Sequence, residues 1–310
     1  MNAVNHLIAT RMESENAPRI PEVTAHLIGA GGKRIRPLLT LAAAGLYGYD
    51  GEHDVKLAAT VEFIHTATLL HDDVVDESDQ RRGRPTANLL WDNQSSVLVG
   101  DYLFARSFQL MVEAGSLRVL DILANAAAVI AEGEVLQLSV ARNLATPEET
   151  YIRVVRGKTA ALFAAATQVG GLVAGASERD ITALCNYGDA LGIAFQIADD
   201  LLDLTGDDIG KDTGDDLREG KLTLPVIRAI AASDAQERSF WERLIGRGRY
   251  QEGDLDIALG IFARHNILET VRATAFDYVA KAQAELEILP DTPIRAELHD
   301  LADFVVSRLR

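Results

Sequence analysis

The 310-residue chain has a single cysteine, Cys185, so no internal disulfide can form. That residue lies in the helical-looking segment ITALCNYGDA, where a small apolar side chain serves packing. No run of about 18 uncharged apolar residues occurs, so no membrane-spanning helix is expected. The opening stretch, MNAVNHLIATRMESENAP, contains acids and no long apolar core. It does not read as a secretory signal, and a cytoplasmic location is expected. Positive charge is scarce: 30 Lys and Arg face 46 Asp and Glu, a net charge of -16. Such a surface repels nucleic acid and anionic lipid, so neither is an expected partner. An anionic substrate would need local basic residues or bound metal.

Proline is also sparse. Only eight are present, and long Pro-free stretches between them are rich in Ala and Leu. Alternating β-branched patterns are lacking, which predicts an all-α fold. Helix starts are predicted at Thr146-Pro147-Glu148 and Ser177-Glu178, each an N-cap followed by acid. The small-residue run AALFAAATQVGGLVAGA (160–176) predicts a buried helix whose neighbours approach closely. No Ser/Pro linker or short repeat divides the chain, so 1–310 reads as a single domain, with about the first 25 residues a loosely tied arm. The Gly- and Asp-dense stretch 205–225 reads as a mobile loop and a candidate lid.

What the chain does have is a pattern of aspartates. In LLHDDVVDE, Asp72 and Asp76 are separated by four residues and share a helix face about 40° wide, with Asp73 beside them. A solvated helix face would also explain one such cluster. A second, GIAFQIADDLLDLTGD, repeats the spacing with Asp199, Asp200 and Asp203 after another apolar run. Oxygen ligands one turn apart suit Mg²⁺, which takes few carboxylates and completes its shell with water and substrate phosphate. Two helices facing across a cavity, gripping a metal cluster from both sides, would account for the pair.

Basic residues cluster beside Gly turns and near these motifs. Lys33 and Arg36 lie in GGKRIRP, Arg81 and Arg82 in RRGRP, Lys158 and Thr159 in RGKTAALF, and Lys211 and Lys221 in the acidic loop. Surface ion pairs would explain any one of them. Together they suit two phosphate-bearing substrates, since Arg forks onto phosphate oxygens and Lys acts as a point charge. His65 stands two turns before Asp72 on nearly the same face and is a further phosphate-contact candidate. The residues alone therefore predict a helical, Mg²⁺-dependent enzyme acting on greasy diphosphates.

These segments resemble the trans-isoprenyl diphosphate synthases, the polyprenyl synthetase family. FIHTATLLHDDVVDESDQRRGRPTAN (63–88) is similar to the family's first aspartate-rich motif, GIAFQIADDLLDLTGD (192–207) to its second, and GGKRIRP (31–37) to its homoallylic-substrate motif. The resemblance implies an isoprenoid synthase fold: a large single-domain helical bundle around a central tunnel, usually a homodimer. Asp72 and Asp76 would bind a pair of Mg²⁺ ions on the allylic diphosphate, with Asp73 supporting. Asp199 would bind a third, with Asp200 and Asp203 outside it. Arg81, Lys158 and Lys211 would hold the allylic diphosphate. Lys33, Arg36, His65 and Arg82 would hold isopentenyl diphosphate. Thr159 and Gln196 would flank the reacting carbons, and Lys221 would help close the loop.

Product length is expected from Ala67 and Thr68, five and four residues before Asp72, where short-chain members often carry bulky aromatics. Both are small here, which favours a long product. The wording HTATLLHDDVVDESD is similar to that of octaprenyl and decaprenyl synthases of quinone side chains. A farnesyl or geranylgeranyl synthase, a class I terpene cyclase and a non-catalytic synthase subunit are the alternatives. The intact second motif, GGKRIRP and the Arg81-Arg82 pair weigh against the last two.

Overall fold

Where Ala and Leu dominate and Pro is absent, the backbone is helical. The computed structural model describes residues 1–310 except 30, 82, 206–212, 308 and 310. Its first helices are α1 (Asn2–Arg11), α2 (Arg19–Gly29), α3 (Ile35–Gly45), α4 (His53–Val75), α5 (Ala87–Leu90) and α6 (Asn93–Glu113). There follow α7 (Leu117–Val140), α8 (Glu148–Val155), a π-helical turn (Arg156–Ala160), α9 (Ala161–Val173) and α10 (Glu178–Thr205). The remainder is α11 (Asp215–Glu219), α12 (Leu224–Ala232), α13 (Ala235–Trp241), a second π-turn (Glu242–Gly246), α14 (Asp254–Arg264), α15 (Ile267–Leu286) and α16 (Pro293–Ser307). Among the described residues the all-α expectation has one exception. A short antiparallel ladder pairs β1 (Gln80–Arg81) with β2 (Arg84–Pro85), just past the first aspartate motif.

The chain forms two compact units. The first comprises Met1–Ala127, Leu162–Gly188 and Ile288–Leu298; the second comprises Ala128–Ala161, Asp189–Glu287 and His299–Arg310. No linker composition marks the division, because α7 and α10 each supply residues to both.

In the first unit α4 packs against α6, α3 and α1. The opening residues, expected as a loosely tied arm, are helical and docked. Val4 and Ile8 of α1 and Met12, its C-cap, join Phe63, Ala67, Leu70 and Leu103 in one buried apolar cluster. The four-residue spacing of those α1 side chains makes an apolar stripe, which anchors the helix despite its polar composition. The small residues of α9 serve the close approach predicted for them. A methyl group added at Gly170 would come within 2.4 Å of the Thr40 carbonyl oxygen and 2.8 Å of the Ala43 Cβ. The predicted cap at Ser177 is present, with its Oγ accepting from the Asp180 amide at 3.2 Å. The other helix starts one residue later than predicted: Pro147, not Thr146, is the N-cap of α8.

The second unit is centred on buried Trp241, stacked on Phe262 with ring centroids 5.8 Å apart. Trp241 Nε1 donates to Ser233 Oγ at 3.0 Å, so the indole is buried without losing its hydrogen bond. Nearby, the Arg243 guanidinium grips the buried Asp254 carboxylate with a bond to each oxygen, at 2.7 and 2.8 Å.

Candidate active site

The first aspartate motif occupies the last turn of α4. The helix is closed by a reverse turn in which the Ser78 amide donates to the Asp73 carbonyl at 3.0 Å and Glu77 adopts φ 50°. Along this half of the helix His65, Thr68, Leu69, His71, Asp72, Val74 and, at its end, Asp76 are partly exposed, while Thr66, Ala67, Leu70 and Asp73 are buried. Of these, His65, Thr68, Leu69, Asp72 and Asp76 recur at spacings of three and four and share one stripe. Thr68 lies on that stripe in line with Asp72; Ala67 lies off it, inside the apolar cluster. Of the two positions read as setting product length, Thr68 is the one on the motif's accessible face.

Asp73 points inward. Arg81, from β1, donates to its Oδ1 through Nε at 2.8 Å and approaches it with Nη2 at 2.7 Å. Its Oδ2 is buried without a hydrogen-bond partner among the described residues. Burial pushes the Asp73 carboxyl above its usual range, against the pull of Arg81, and the charge of Asp76 adds to the push. In this unit too, Arg36 at the start of α3 lies 4.6 Å over the ring of Phe163. Lys33 is exposed in the preceding turn. Between them Arg34 takes the left-handed conformation as N-cap of α3, and its guanidinium pairs with buried Glu62 of α4. That pair ties the GGKRIRP turn to the helix carrying His65. Nothing in the order of residues joins positions 34 and 62, so the pair is not legible in the sequence.

The second motif occupies the last two turns of α10, in the second unit. Gln196 and Asp199 are partly exposed, whereas Asp200 and Asp203 are buried. Asp203 serves the backbone: its Oδ2 accepts from the Asp216 amide at 3.3 Å, and its carbonyl accepts from the Gly214 amide at 2.8 Å. Asp200 accepts from Tyr151 OH at 2.7 Å and from Gln196 Nε2 at 2.9 Å. Burial, then the charges of Asp216 and Asp199, push its carboxyl up to about 8, while these two hydrogen bonds oppose the shift.

Lys158 and Thr159 lie in the π-turn that interrupts the helical run between α8 and α9, an irregularity frequent at functional sites. The turn fits closely against α7. A methyl group on Gly133 would come within 2.6 Å of the Lys158 amide nitrogen. Lys158 Nζ donates to Glu134 Oε2 at 2.9 Å, and Thr159 Oγ1 donates to Gln196 Oε1 at 2.8 Å. Lys221 follows α11, its Nζ 2.5 Å from Glu219 Oε2 and 3.6 Å from Asp216 Oδ1. The stretch expected as a loop thus contains the helical turn α11. Arg82, Lys211 and the first part of that stretch lie outside the described residues.

Within each unit, then, the predicted acids meet predicted bases or amides: Asp73 meets Arg81, and Asp200 meets Gln196 and, through it, Thr159. Both motifs also stand at helix C-terminal ends, where backbone carbonyls add partial negative charge. The partly exposed carboxylates at these ends, Asp72 and Asp76 of the first motif and Asp199 of the second, fit a hard divalent cation with oxygen ligands. Among the described residues no three acidic or histidine side chains form a closed cage. An ion completed by water and phosphate oxygens does not require one.

Residues 17–262 match the polyprenyl synthetase family. The chain belongs to that family. Octaprenyl diphosphate synthase of Escherichia coli strain K12 is 45% identical over 100% of this chain and 96% of its own. The crystal structure of a decaprenyl diphosphate synthase from Rhodobacter capsulatus is 66% identical, with a TM-score of 0.97 over 100% of this chain and 96% of that one. A polyprenyl synthase from Caulobacter crescentus CB15, crystallised with calcium and isoprenyl diphosphate, is 51% identical, with a TM-score of 0.95 over 99% and 94% of the two chains. The three motifs therefore identified the family correctly, and this polyprenyl synthetase shares the all-α fold of solved isoprenyl synthases.

Proposed function

We propose that this polyprenyl synthetase is a long-chain trans-polyprenyl diphosphate synthase, adding isopentenyl diphosphate head-to-tail to an allylic diphosphate. The observation that carries the reading is the presence of two intact aspartate motifs at helix C-terminal ends, each with an accessible carboxylate face. Names of full-length relatives, octaprenyl and decaprenyl synthases, support the long product. A quinone side chain is the destination we favour for it.

Asp72, Asp76 and Asp199 would hold Mg²⁺, with Asp73, Asp200 and Asp203 behind them; the calcium and isoprenyl diphosphate of the Caulobacter crescentus protein support a divalent ion. When bound, the metal supplies charge stabilisation to the leaving diphosphate. Arg81, Lys158 and Lys211 bind the allylic diphosphate. Arg81 and Lys158 already face Asp73 and Glu134, so substrate exchanges one anionic partner for another. Lys33, Arg36, His65 and Arg82 bind isopentenyl diphosphate, and Lys221 helps close the acidic stretch over it. Departure of diphosphate leaves an allylic cation, which the oxygens of Thr159 and Gln196 stabilise as partial negative charges. The double bond of isopentenyl diphosphate attacks, and the released diphosphate takes the proton. Water must be excluded, or the cation ends as an alcohol. Small Thr68, on the accessible stripe, leaves room for a growing chain.

A homodimer is part of this proposal. Leu98 and Val112 of α6, 66% and 67% exposed, stand fourteen residues or about four helical turns apart on nearly one face, with exposed Phe108 between them in sequence, and present apolar surface that a second copy would cover. No described helix is long and apolar enough to cross a membrane, and a cytoplasmic location remains our proposal. Incorporation of labelled isopentenyl diphosphate, with farnesyl diphosphate as primer, tests the reading. Incorporation is expected with Mg²⁺, lost in excess EDTA and restored by added Mg²⁺. Undiminished incorporation in EDTA would contradict the metal assignment.

A further inference from the structure

Tyr151 has no part in the reaction proposed above, yet its hydroxyl is buried against the second aspartate motif. Three hydrogen bonds run in sequence through this part of the second unit. Thr159 Oγ1 donates to Gln196 Oε1 at 2.8 Å, Gln196 Nε2 donates to Asp200 Oδ1 at 2.9 Å, and Tyr151 OH donates to Asp200 Oδ2 at 2.7 Å. Both oxygens of Asp200 are thus engaged by protein donors. The Gln196 amide is oriented with its oxygen accepting from Thr159 and its nitrogen donating to Asp200, so one side chain links the two. With the Thr159 proton committed to Gln196, the lone pairs of Oγ1 face elsewhere.

Helix geometry brings the ends of this chain together. Eight residues of regular α-helix would leave Thr159 about 80° around the axis from Tyr151. The π-turn at Arg156–Ala160 absorbs an extra residue, reducing the offset to about 20°. Both side chains then reach the same stretch of α10.

We propose that Tyr151 is a positioning residue: by clamping Asp200 it fixes the Gln196 amide and, through it, aims the Thr159 oxygen at the forming allylic cation. This rests on the prenyl-transfer reading. It also gives Asp200, whose neighbour Asp199 is the accessible carboxylate, the work of orienting an amide.

The test is a double-mutant cycle of Tyr151→Phe with Gln196→Ala, using isopentenyl and farnesyl diphosphates, with circular dichroism to check folding. Tyr151→Phe is expected to lower kcat about tenfold while KM for both substrates stays within about twofold. In the Gln196→Ala background it should cost nothing further, because it acts only through that amide. Losses that multiply, a rise in KM at unchanged kcat, or no loss in the single variant would each overturn the positioning role. If Tyr151→Phe fails to fold, Tyr151→Met, which also removes the hydroxyl while filling the site, replaces it in the same cycle with the same expectations. A wild type that condenses nothing overturns the prenyl-transfer reading instead, so the two failures are distinct.

Discussion

Asp72→Ala removes an accessible carboxylate from the negative end of α4 and leaves the buried face of that helix intact. Turnover should fall about a thousandfold, the scale on which a preorganised electrostatic contact counts in the transition state. The thermal melt followed by circular dichroism should not fall. Wild-type turnover in this variant would contradict the assignment. Asp254 gives the opposite kind of prediction, one about stability. Hydrogen bonds from Arg243 hold its carboxyl below the usual carboxylate range. Its contribution is therefore complete at neutral pH and is lost as pH falls through the depressed folded-state value. Asp254→Asn should cost about 1.5–3 kcal/mol at pH 7, and urea melts should show the deficit closing in acid. A deficit that is constant with pH would contradict the ion-pair account. Asp72, Asp76 and Asp199 were legible in the sequence because repeated spacing on apolar helices is a local signal. Glu62, Glu134 and Tyr151 were not, because each matters through a partner that only folding brings near.

At the scale of elements, composition and proline placement were enough for the helices, and Ser177 for a cap. The π-turn carrying Lys158 and Thr159 was not legible, since nothing in RGKTA differs from a good α-helical sequence. Its companion feature is the close contact of Gly133 with Gly157. A methyl group at Gly133 would lie 2.6 Å from the Lys158 nitrogen and 2.9 Å from the Gly157 carbonyl carbon, both backbone atoms that cannot rotate away. Gly133→Ala should therefore destabilise the protein by about 1–3 kcal/mol and lower turnover by displacing Lys158 and Thr159. Thermal melts and steady-state rates check both parts; a variant normal in each would contradict the packing. The docking of α1 was missed for a related reason. Its apolar stripe is short, Val4 and Ile8 with Leu7 beside them and Met12 at the C-cap, and does not stand out among the surrounding polar residues.

For the whole molecule, a net charge of -16 means that the site must gather its diphosphates locally, through Lys, Arg and the proposed Mg²⁺. The division into two units was not visible in the sequence, because helices continue through it without a linker. Product length belongs to this scale as well, since it depends on how much room the assembled protein leaves for a growing chain. Thr68→Phe places a bulky ring on the accessible stripe of α4 and should shift products to shorter chains, read by chromatography after dephosphorylation. An unchanged distribution would mean that Thr68 does not line the path of the chain. The same chromatography of wild-type products, made from farnesyl and isopentenyl diphosphates with Mg²⁺, tests the central claim. Products should be all-trans and about 40 to 50 carbons long, the octaprenyl to decaprenyl range of the chain's relatives. Farnesyl or geranylgeranyl diphosphate as the final product, with no further elongation, would contradict it.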